Sequence, residues 1–261
     1  MGRLALARGV PGEALAVSGC VKRSRRRAGA LWCCAMTENW LARWRDGRIA
    51  FHEGRPNALL ERHVDRLLAG GRVLVPLCGK AEDLAFLAAR GHDVIGIELA
   101  EEAVRAFFDE HGVAPTVQPH GPFASWSAAV SGAEPAIGSL QLLVGDFFAA
   151  NPALIGPIDA VYDRGSLIAL PPELRPRYVA LLRTLLPQGA PALVITLEYD
   201  QSAMSGPPFA VLEPELRALY AGAELELLAQ RPAPKDGGKC SQLGIPATER
   251  CFLIGGRNVR S

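Results

Sequence analysis

One stretch, Arg72–Glu98 (RVLVPLCGKAEDLAFLAARGHDVIGIE), constrains the fold more than any other part of the chain. Its first six residues, Arg72–Leu77, form a short apolar run typical of a buried strand, and Ala81–Arg90 carries apolar residues at helical spacing. Gly91 stands where a helix C-terminal cap belongs. Asp93–Ile97 is a second apolar run. The order strand, turn, helix, strand predicts half of a parallel α/β sheet.

Glu98 lies at the carboxyl end of the second predicted strand. In open α/β sheets, ligands bind outside the carboxyl ends of the strands, at the point where the strand order reverses. An acid about 20 residues after the first turn is the usual partner of a ribose diol, and Glu98 follows Gly79 at that spacing. The alternative is a surface glutamate that begins a loop. The strand, turn and helix around Glu98 favour the ribose role.

The turn between the first strand and the helix indicates which nucleoside ligand fits. Dinucleotide sites use G-x-G-x-x-G, because two phosphates must approach the backbone closely. The segment Pro76–Lys80 contains one glycine, Gly79. The residues therefore favour a ligand with ribose but no phosphate, and S-adenosylmethionine is the common one. An NAD(P)-binding oxidoreductase built on the same unit is the alternative, and it predicts a second phosphate-binding glycine pattern.

Three segments together resemble the thiopurine S-methyltransferase family, in its bacterial form. They are Trp40–Gly54 (WLARWRDGRIAFHEG), Val75–Glu98 and Tyr162–Leu170 (YDRGSLIAL), and the resemblance extends from about Asn39 to the end of the chain. It implies a Rossmann-like class I fold and S-adenosylmethionine as cofactor. It also implies methyl transfer to aromatic or heterocyclic thiols, or to selenium and tellurium compounds. A relative that binds the cofactor without catalysis is a further alternative.

The resemblance also implies a set of site residues. The expected cofactor contacts are Trp40, Trp44 and Phe51 in a lid, Leu77 and Gly79 in the turn, Glu98 at the ribose, Gly145 and Asp146 beside the adenine, and Arg164. Aromatic walls suit both an adenine and a methyl sulfonium, whose positive charge is attracted to ring faces. Trp40 and Trp44 could instead be core anchors of an N-terminal helix, and Asp146 could be a helix N-cap.

Arg164 and Asp163 are the predicted catalytic pair. Arg164 is placed to contact the cofactor or to orient an anionic substrate, and Asp163 to pair with Arg164 or with backbone. His52 is a candidate base, although a lone histidine is more often a hydrogen-bonded structural residue. Where relatives carry an arginine and in some cases an aromatic residue, this chain has Lys239 and Leu243. These departures leave the identity of the acceptor open.

Six cysteines occur, and none forms a C-x-x-C pair or lies in a histidine cluster. We therefore predict neither a metal site nor a disulfide framework, and a reducing cytoplasm is expected. Cys78 follows a buried strand, which favours packing over a nucleophilic role.

Seven strands are predicted over the whole chain: Arg72–Leu77, Asp93–Ile97, Ser139–Val144, Pro157–Tyr162, Ala192–Leu197, Ala223–Gln230 and Glu249–Ile254. Six of them alternate with helical patterns, whereas the last pair are joined without a helix and are predicted to form an antiparallel hairpin. The pattern predicts a doubly wound, mostly parallel α/β sheet with an antiparallel last strand. Residues 115–138, rich in Pro, Ala, Ser and Gly, are predicted to have little regular structure.

Charged residues are unevenly distributed along the chain. Residues 1–35 hold seven basic residues and one acid, or +6, so the rest carries −5 of the formal net charge of +1. We expect residues 1–35 to be a disordered basic leader or the product of a misassigned start, although an Arg-rich start is also typical of a transit peptide. Residues 36–261 are expected to form one methyltransferase domain, acting as a monomer. Its acidic balance argues against nucleic acid as a partner, and no apolar run of about 18 residues predicts a membrane span.

Overall fold

The structure, a computed structural model, describes residues 28–49, 52–129, 138–234 and 238–255, with side chains from residue 37 onward. The chain divides into two units, Met1–Met36 and Thr37–Ser261. Most of the predicted leader, and the predicted lid residue Phe51, lie outside the described residues. No helix in the described ranges is long and apolar enough to cross a membrane.

A single mixed sheet runs through the second unit. Its described strands are β1 (Arg72–Pro76), β2 (Asp93–Glu98), β3 (Thr116–His120), β4 (Phe123–Ala129), β5 (Ser139–Val144), β6 (Ala160–Arg164), β7 (Ala192–Glu198), β8 (Leu225–Pro232) and β9 (Thr248–Ile254). They lie in the order β3-β4-β5-β2-β1-β6-β7-β9-β8. The central strands β5, β2, β1, β6 and β7 are parallel, while β3, β4, β9 and β8 extend the two sides in antiparallel pairing.

Helices occupy the connections between the parallel strands. The described α-helices are α1 (Ala28–Arg45), α2 (Ala58–His63), α3 (Glu82–Ala89), α4 (Glu101–Glu110), α5 (Pro152–Ile155), α6 (Ser166–Ala169), α7 (Arg175–Leu185), α8 (Glu213–Leu219) and α9 (Gly238–Gln242). Short 3-10 helices cover Val64–Arg66, Phe147–Ala149 and Gln201–Ala203. Asn57 caps α2 by accepting a hydrogen bond from the Leu59 backbone N–H at 2.9 Å.

The sheet has a hydrophobic core on each face. Successive side chains of a strand point to opposite faces, and in β1 the side chain of Leu74 enters one core while Val73 and Val75 enter the other. The Leu74 side is closed by residues of α5, α7 and α8, and the opposite side by residues of α2, α3 and α4. Burial on both faces explains why the parallel strands read as continuous apolar runs.

The doubly wound topology is confirmed, and β1 lies at its centre. The chain proceeds from β1 through β2 to β5 on one side, and then places β6 and β7 on the other. The carboxyl ends of β2 and β6 therefore flank the turn that follows β1. This is the switch point at which ligands bind in such sheets.

The predicted count of seven strands was wrong, because residues 116–129, which were predicted to have little regular structure, form the hairpin of β3 and β4. All but the last residue of β3 are exposed at the edge of the sheet, so the strand carries no alternation of apolar and polar residues. Pro119 within it reads as a break, yet proline is tolerated on an edge strand whose N–H side faces solvent. Residues 130–137 lie outside the described part.

One further boundary differs from prediction. The predicted strand Pro157–Tyr162 begins later and extends to Arg164, so Asp163 and Arg164 are strand residues. The predicted hairpin of the last two strands is confirmed, although α9 lies between β8 and β9.

Leu84 in α3 tests the packing of the helix that joins β1 and β2. Its side chain is fully buried in the core. Leu84→Ala should lower the free energy of unfolding by about 2–5 kcal/mol, because it removes buried apolar atoms and leaves a cavity. Leu68→Ala is the matched control, since Leu68 is 53% exposed, and it should change the value by no more than about 0.5 kcal/mol. Urea unfolding curves measure both, and equal values would show that α3 does not pack as described.

Candidate active site

The Glu98 carboxylate holds the switch point together. One of its oxygens accepts from the Gly79 backbone N–H at 2.8 Å, and the other accepts from the Ala100 N–H at 2.9 Å. Glu98 is buried, and its burial raises the pKa of the carboxyl group, while the hydrogen bonds from Ala100 and Gly79 oppose that rise. A carboxylate accepts about four hydrogen bonds, so two backbone donors leave capacity for a diol.

The turn after β1 has an unusual backbone. Leu77 has a φ of +46° and Gly79 a φ of +56°. Leucine in the left-handed region is uncommon and costs about 1–3 kcal/mol, and such residues cluster at ligand sites. The Cys78 N–H between them donates to the Ile97 carbonyl at 3.1 Å. The turn is therefore fixed to the end of β2 by its backbone as well as by Glu98.

Trp44 of α1 packs on this turn. A side chain added at Gly79 would lie 3.3 Å from the Trp44 ring, so the missing side chain of the glycine makes room for the indole. Trp44 is buried in a small cluster with Ala100 and Ala103, at the start of α4. The other predicted lid residue, Trp40, is half-buried and stacks with the Arg43 guanidinium 5.1 Å from its ring.

Gly145 and Asp146 follow β5, on the side of β2 away from β1. The Gly145 N–H donates to the Glu98 carbonyl at 2.8 Å, and a side chain at Gly145 would meet the Phe123 ring at 2.5 Å. Asp146 is exposed and caps the 3-10 helix that follows, because it accepts from the Phe148 N–H at 2.9 Å. Asp146 therefore acts as the predicted helix cap through one carboxylate oxygen, and the other oxygen takes no part in that hydrogen bond.

Asp163 and Arg164 point to opposite faces of the sheet, as neighbours in a strand must. Asp163 is fully buried and accepts from the Tyr178 hydroxyl at 2.7 Å and from the Ser166 N–H at 3.2 Å. Burial raises the pKa of its carboxyl, and these hydrogen bonds oppose the rise. Asp163 therefore joins β6 to α6 and α7 through hydrogen bonds that its side chain makes inside the core.

Arg164 lies on the other face, at the end of β6. It forms an ion pair with Glu53, from the segment that follows the predicted lid. Burial would lower the pKa of the guanidinium, but the negative charge of Asp83, Glu53 and Glu249 raises it. Asp83 is itself buried, accepting from the Asn57 N–H at 2.6 Å and the Tyr162 hydroxyl at 2.9 Å.

His52 belongs to a second polar group at the mouth of the crevice. Ligand atoms of His52, Glu82 and Glu110 lie within 4.8 Å of one another. The ammonium of Lys80, which is buried, contacts Glu110 at 2.5 Å and supplies a positive charge there. Burial lowers the pKa of His52, and Lys80 lowers it further, while Glu82 and Glu110 oppose that change.

The structure thus brings together most of the predicted site residues. Trp44, Leu77, Gly79 and Glu98 meet at the turn, Gly145 and Asp146 extend the same edge, and Arg164 stands across β1. Asp163 is the predicted residue that points away. Sequence reasoning missed Glu53, Asp83 and Lys80 as members of the site; Lys80 alone had a local signal, since it directly follows the turn glycine.

Comparison with known proteins identifies the family of this chain. The sequence profile of the family described as thiopurine S-methyltransferase matches residues 35–250. A Pseudomonas putida protein named thiopurine S-methyltransferase is 44% identical over 218 residues, which cover 82% of this chain and 97% of that protein. One from Azotobacter vinelandii is 43% identical over 80% of this chain and 94% of its own length.

The chain belongs to the thiopurine S-methyltransferase family. Its expected cofactor is therefore S-adenosylmethionine, and the alternative of an NAD(P)-dependent oxidoreductase is set aside. The free acceptor capacity of Glu98 fits the ribose of that cofactor.

Solved structures agree on the fold. A Burkholderia thailandensis N1-methyltransferase with bound S-adenosylhomocysteine is 16% identical, with a TM-score of 0.56 over 90% of this chain and 94% of that one. Magnesium protoporphyrin IX methyltransferase from Synechocystis, with bound S-adenosylmethionine, is 14% identical, with a TM-score of 0.52 over 90% of this chain and 100% of that one. The Rossmann-like methyltransferase fold is thus confirmed.

Glu98 gives a test of the cofactor site. Glu98→Gln keeps the shape of the side chain but removes its charge, so S-adenosylmethionine should bind about 10- to 100-fold more weakly by calorimetric titration.

The wild-type affinity should also fall with decreasing pH, because a raised pKa means that the carboxylate is neutralised early on acidification. The glutamine variant should lack that pH dependence. Glu102→Gln, an exposed change in the same region, should leave the affinity unaltered; unchanged affinity in Glu98→Gln would contradict the assignment.

Proposed function

We propose that this protein transfers the methyl group of S-adenosylmethionine to the sulfur of aromatic and heterocyclic thiols, with selenolates as further acceptors. One observation carries the proposal. A carboxylate at the end of β2 and a guanidinium at the end of β6 flank the turn of the central strand. The first group suits a ribose diol, and the second suits an anionic acceptor.

The cofactor, when bound, supplies a methyl group on a positively charged sulfur. In our proposal the Glu98 carboxylate accepts the ribose hydroxyls, and Trp44 forms an aromatic wall beside the turn. Leu77 shapes the turn toward the ligand, and Gly145 with Asp146 flanks the adenine. Trp40 and Phe51 are assigned to the lid, as the resemblance to the family implies.

The reaction needs placement more than proton transfer. A thiolate lone pair forms the new S–CH3 bond as the sulfonium C–S bond breaks, and the bonding electrons pass to the departing sulfur. One negative and one positive charge disappear, and no proton moves in that step. Arg164 holds the anionic acceptor in line with the methyl group. A thiol that loses its proton to water before binding requires no protein base.

Asp163 acts as a positioning residue in this scheme. Its carboxylate accepts from the Ser166 N–H, directly after the strand end that carries Arg164, and from the Tyr178 hydroxyl of α7. Ser166 in turn donates from its hydroxyl to the Pro76 carbonyl at 2.8 Å, at the end of β1. This chain of contacts fixes the backbone around Arg164 without reaching the substrate.

We further propose that the protein acts in the cytoplasm as a monomer, without nucleic acid or membrane partners. Its described cysteines Cys78, Cys240 and Cys251 are free and buried, as expected in a reducing compartment. Pro119 in the edge strand β3 removes a backbone donor, which disfavours pairing of that edge with a second chain.

The acidity of the acceptor should control the rate. Across a series of substituted thiophenols at fixed pH and subsaturating concentration, transfer of labelled methyl should fall as the thiol pKa rises above the assay pH. Each unit lowers the thiolate fraction about tenfold, although thiolates of higher pKa regain part of the loss through greater nucleophilicity. Phenols and anilines of similar shape are the controls and should not react. Transfer to oxygen or nitrogen while thiols stay inert would contradict the proposed reaction.

Cys78 should prove dispensable for chemistry. Its thiol is buried beside Gly96, where an added side chain would approach the sulfur to 2.8 Å. Burial and the charge of Glu98 raise the pKa of Cys78 well above its usual range, so the thiol is protonated at neutral pH. Cys78→Ser should keep most of the methyl-transfer activity at a slightly lower melting temperature. A folded variant with no activity would assign the thiol a chemical role.

A further inference from the structure

The Glu53 carboxylate is the group that pairs with the Arg164 guanidinium. It lies between α1 and α2, separated from Arg164 by 111 positions in the sequence, and the two side chains form an ion pair and hydrogen bond. Both are largely removed from solvent, with side-chain exposures of 15% for Glu53 and 18% for Arg164. The family relationship gives Arg164 a place in the site, but the residue that neutralises it here comes from a connecting segment.

The other acids near Arg164 have further partners. Asp83 accepts from the Asn57 N–H and from the Tyr162 hydroxyl. Glu249 is paired with Arg231 at 2.7 Å. Glu53 forms its hydrogen bond with Arg164, and the nearby Glu249 and Asp83 disfavour the charged form of its carboxyl group. Of the three carboxylates, Glu53 is therefore the one whose place on the guanidinium another anion could take.

We propose that Glu53 is an internal stand-in for the acceptor anion: it holds Arg164 when no acceptor is bound, and an incoming thiolate or selenolate displaces it. This inference rests on the proposed function, in which Arg164 binds the acceptor. Glu53 is then a specificity-determining residue that sets the apparent affinity for anionic acceptors.

The charge around Arg164 makes displacement necessary. Three carboxylates already act on this guanidinium. A fourth negative charge placed close to one of them is repelled, because water screens charges only partly at a protein surface. An anion that replaces Glu53 avoids this cost, because the carboxylate moves into water as the acceptor arrives. A neutral acceptor has no such competitor.

The segment that carries Glu53 connects α1 to α2. Residues 52–57 contain no helix or strand. Gly54, directly after Glu53, has a φ of +63°, and a side chain there would meet nothing within 4 Å. Burial raises the pKa of the Glu53 carboxyl, while Arg164, and more weakly Arg231, lower it; Glu249 and Asp83 raise it further. Glu53 thus pays a desolvation penalty that is relieved when it leaves the crevice.

Glu53→Gln tests the inference, because it removes the charge and keeps the shape. With thiophenol as acceptor, above the pKa of its thiol, KM should fall about tenfold while kcat changes less than about twofold. The affinity for S-adenosylmethionine should stay the same. Glu226→Gln is the matched control, since it removes a carboxylate that is ion-paired with Arg66 on the surface. It should alter neither constant.

A titration without turnover separates this inference from the proposed function. Benzoate, an aromatic anion without a thiol, should bind the Glu53→Gln variant with S-adenosylhomocysteine about tenfold more tightly than it binds the wild type. Neutral benzamide should bind both alike. If thiols are not methylated but benzoate behaves in this way, the proposed function fails and the role of Glu53 stands.

Two results would overturn the inference. One is an unchanged or weaker affinity for benzoate in Glu53→Gln, which would mean that Glu53 supports Arg164 instead of competing for it. The other is an equal gain in benzoate affinity in Glu226→Gln, which would show that the effect comes from the net charge of the protein and not from Glu53. Melting temperatures establish that each variant is folded, and Glu53→Ala, which should show the same gain, replaces Glu53→Gln if that variant is unstable.

Discussion

The two hydrogen bonds that the Glu98 carboxylate accepts from Gly79 and Ala100 are the constraint on which the site depends. A buried charge is costly unless it is hydrogen-bonded, and here backbone N–H groups from two different connections satisfy it. The same contacts join the turn after β1 to the start of α4. The strained φ of Leu77 and the packing of Trp44 on Gly79 are then held in place by this buried group.

The pleat of β6 explains how one short strand serves both structure and chemistry. Tyr162 and Arg164 face α2 and α3, where Tyr162 donates to Asp83 and Arg164 meets Glu53. Asp163 faces α7 and accepts from Tyr178. Two adjacent charged residues thus have separate surroundings, because a strand places neighbours on opposite faces. Loss of the Asp163 contacts would affect Arg164 through the backbone, not through a shared site.

How far the sequence predicts this molecule depends on how local each signal is. The unit from β1 to β2 was predicted with its turn and its acid, because apolar periodicity and glycine placement lie within a few residues of each other. The β3–β4 hairpin was missed, since an exposed edge strand with Pro119 has no alternation to detect. Glu53 was missed for a different reason: its partner is 111 positions away, and only the folded sheet brings the two together.

The carboxylates around Arg164 act in opposite ways on the two substrates of the proposed reaction, because the cofactor is a cation and the acceptor is an anion. Asp83, Glu53 and Glu249 surround one guanidinium, so the region around Arg164 carries a negative surplus. A sulfonium is attracted by such a surplus, whereas a thiolate is repelled by it unless a carboxylate withdraws. Of these acids, Glu53 is the one whose described hydrogen bond is with Arg164 itself. In this scheme Asp83 and Glu249 stay near the guanidinium and attract the cation, whereas Glu53 can withdraw and so sets the selectivity among anions.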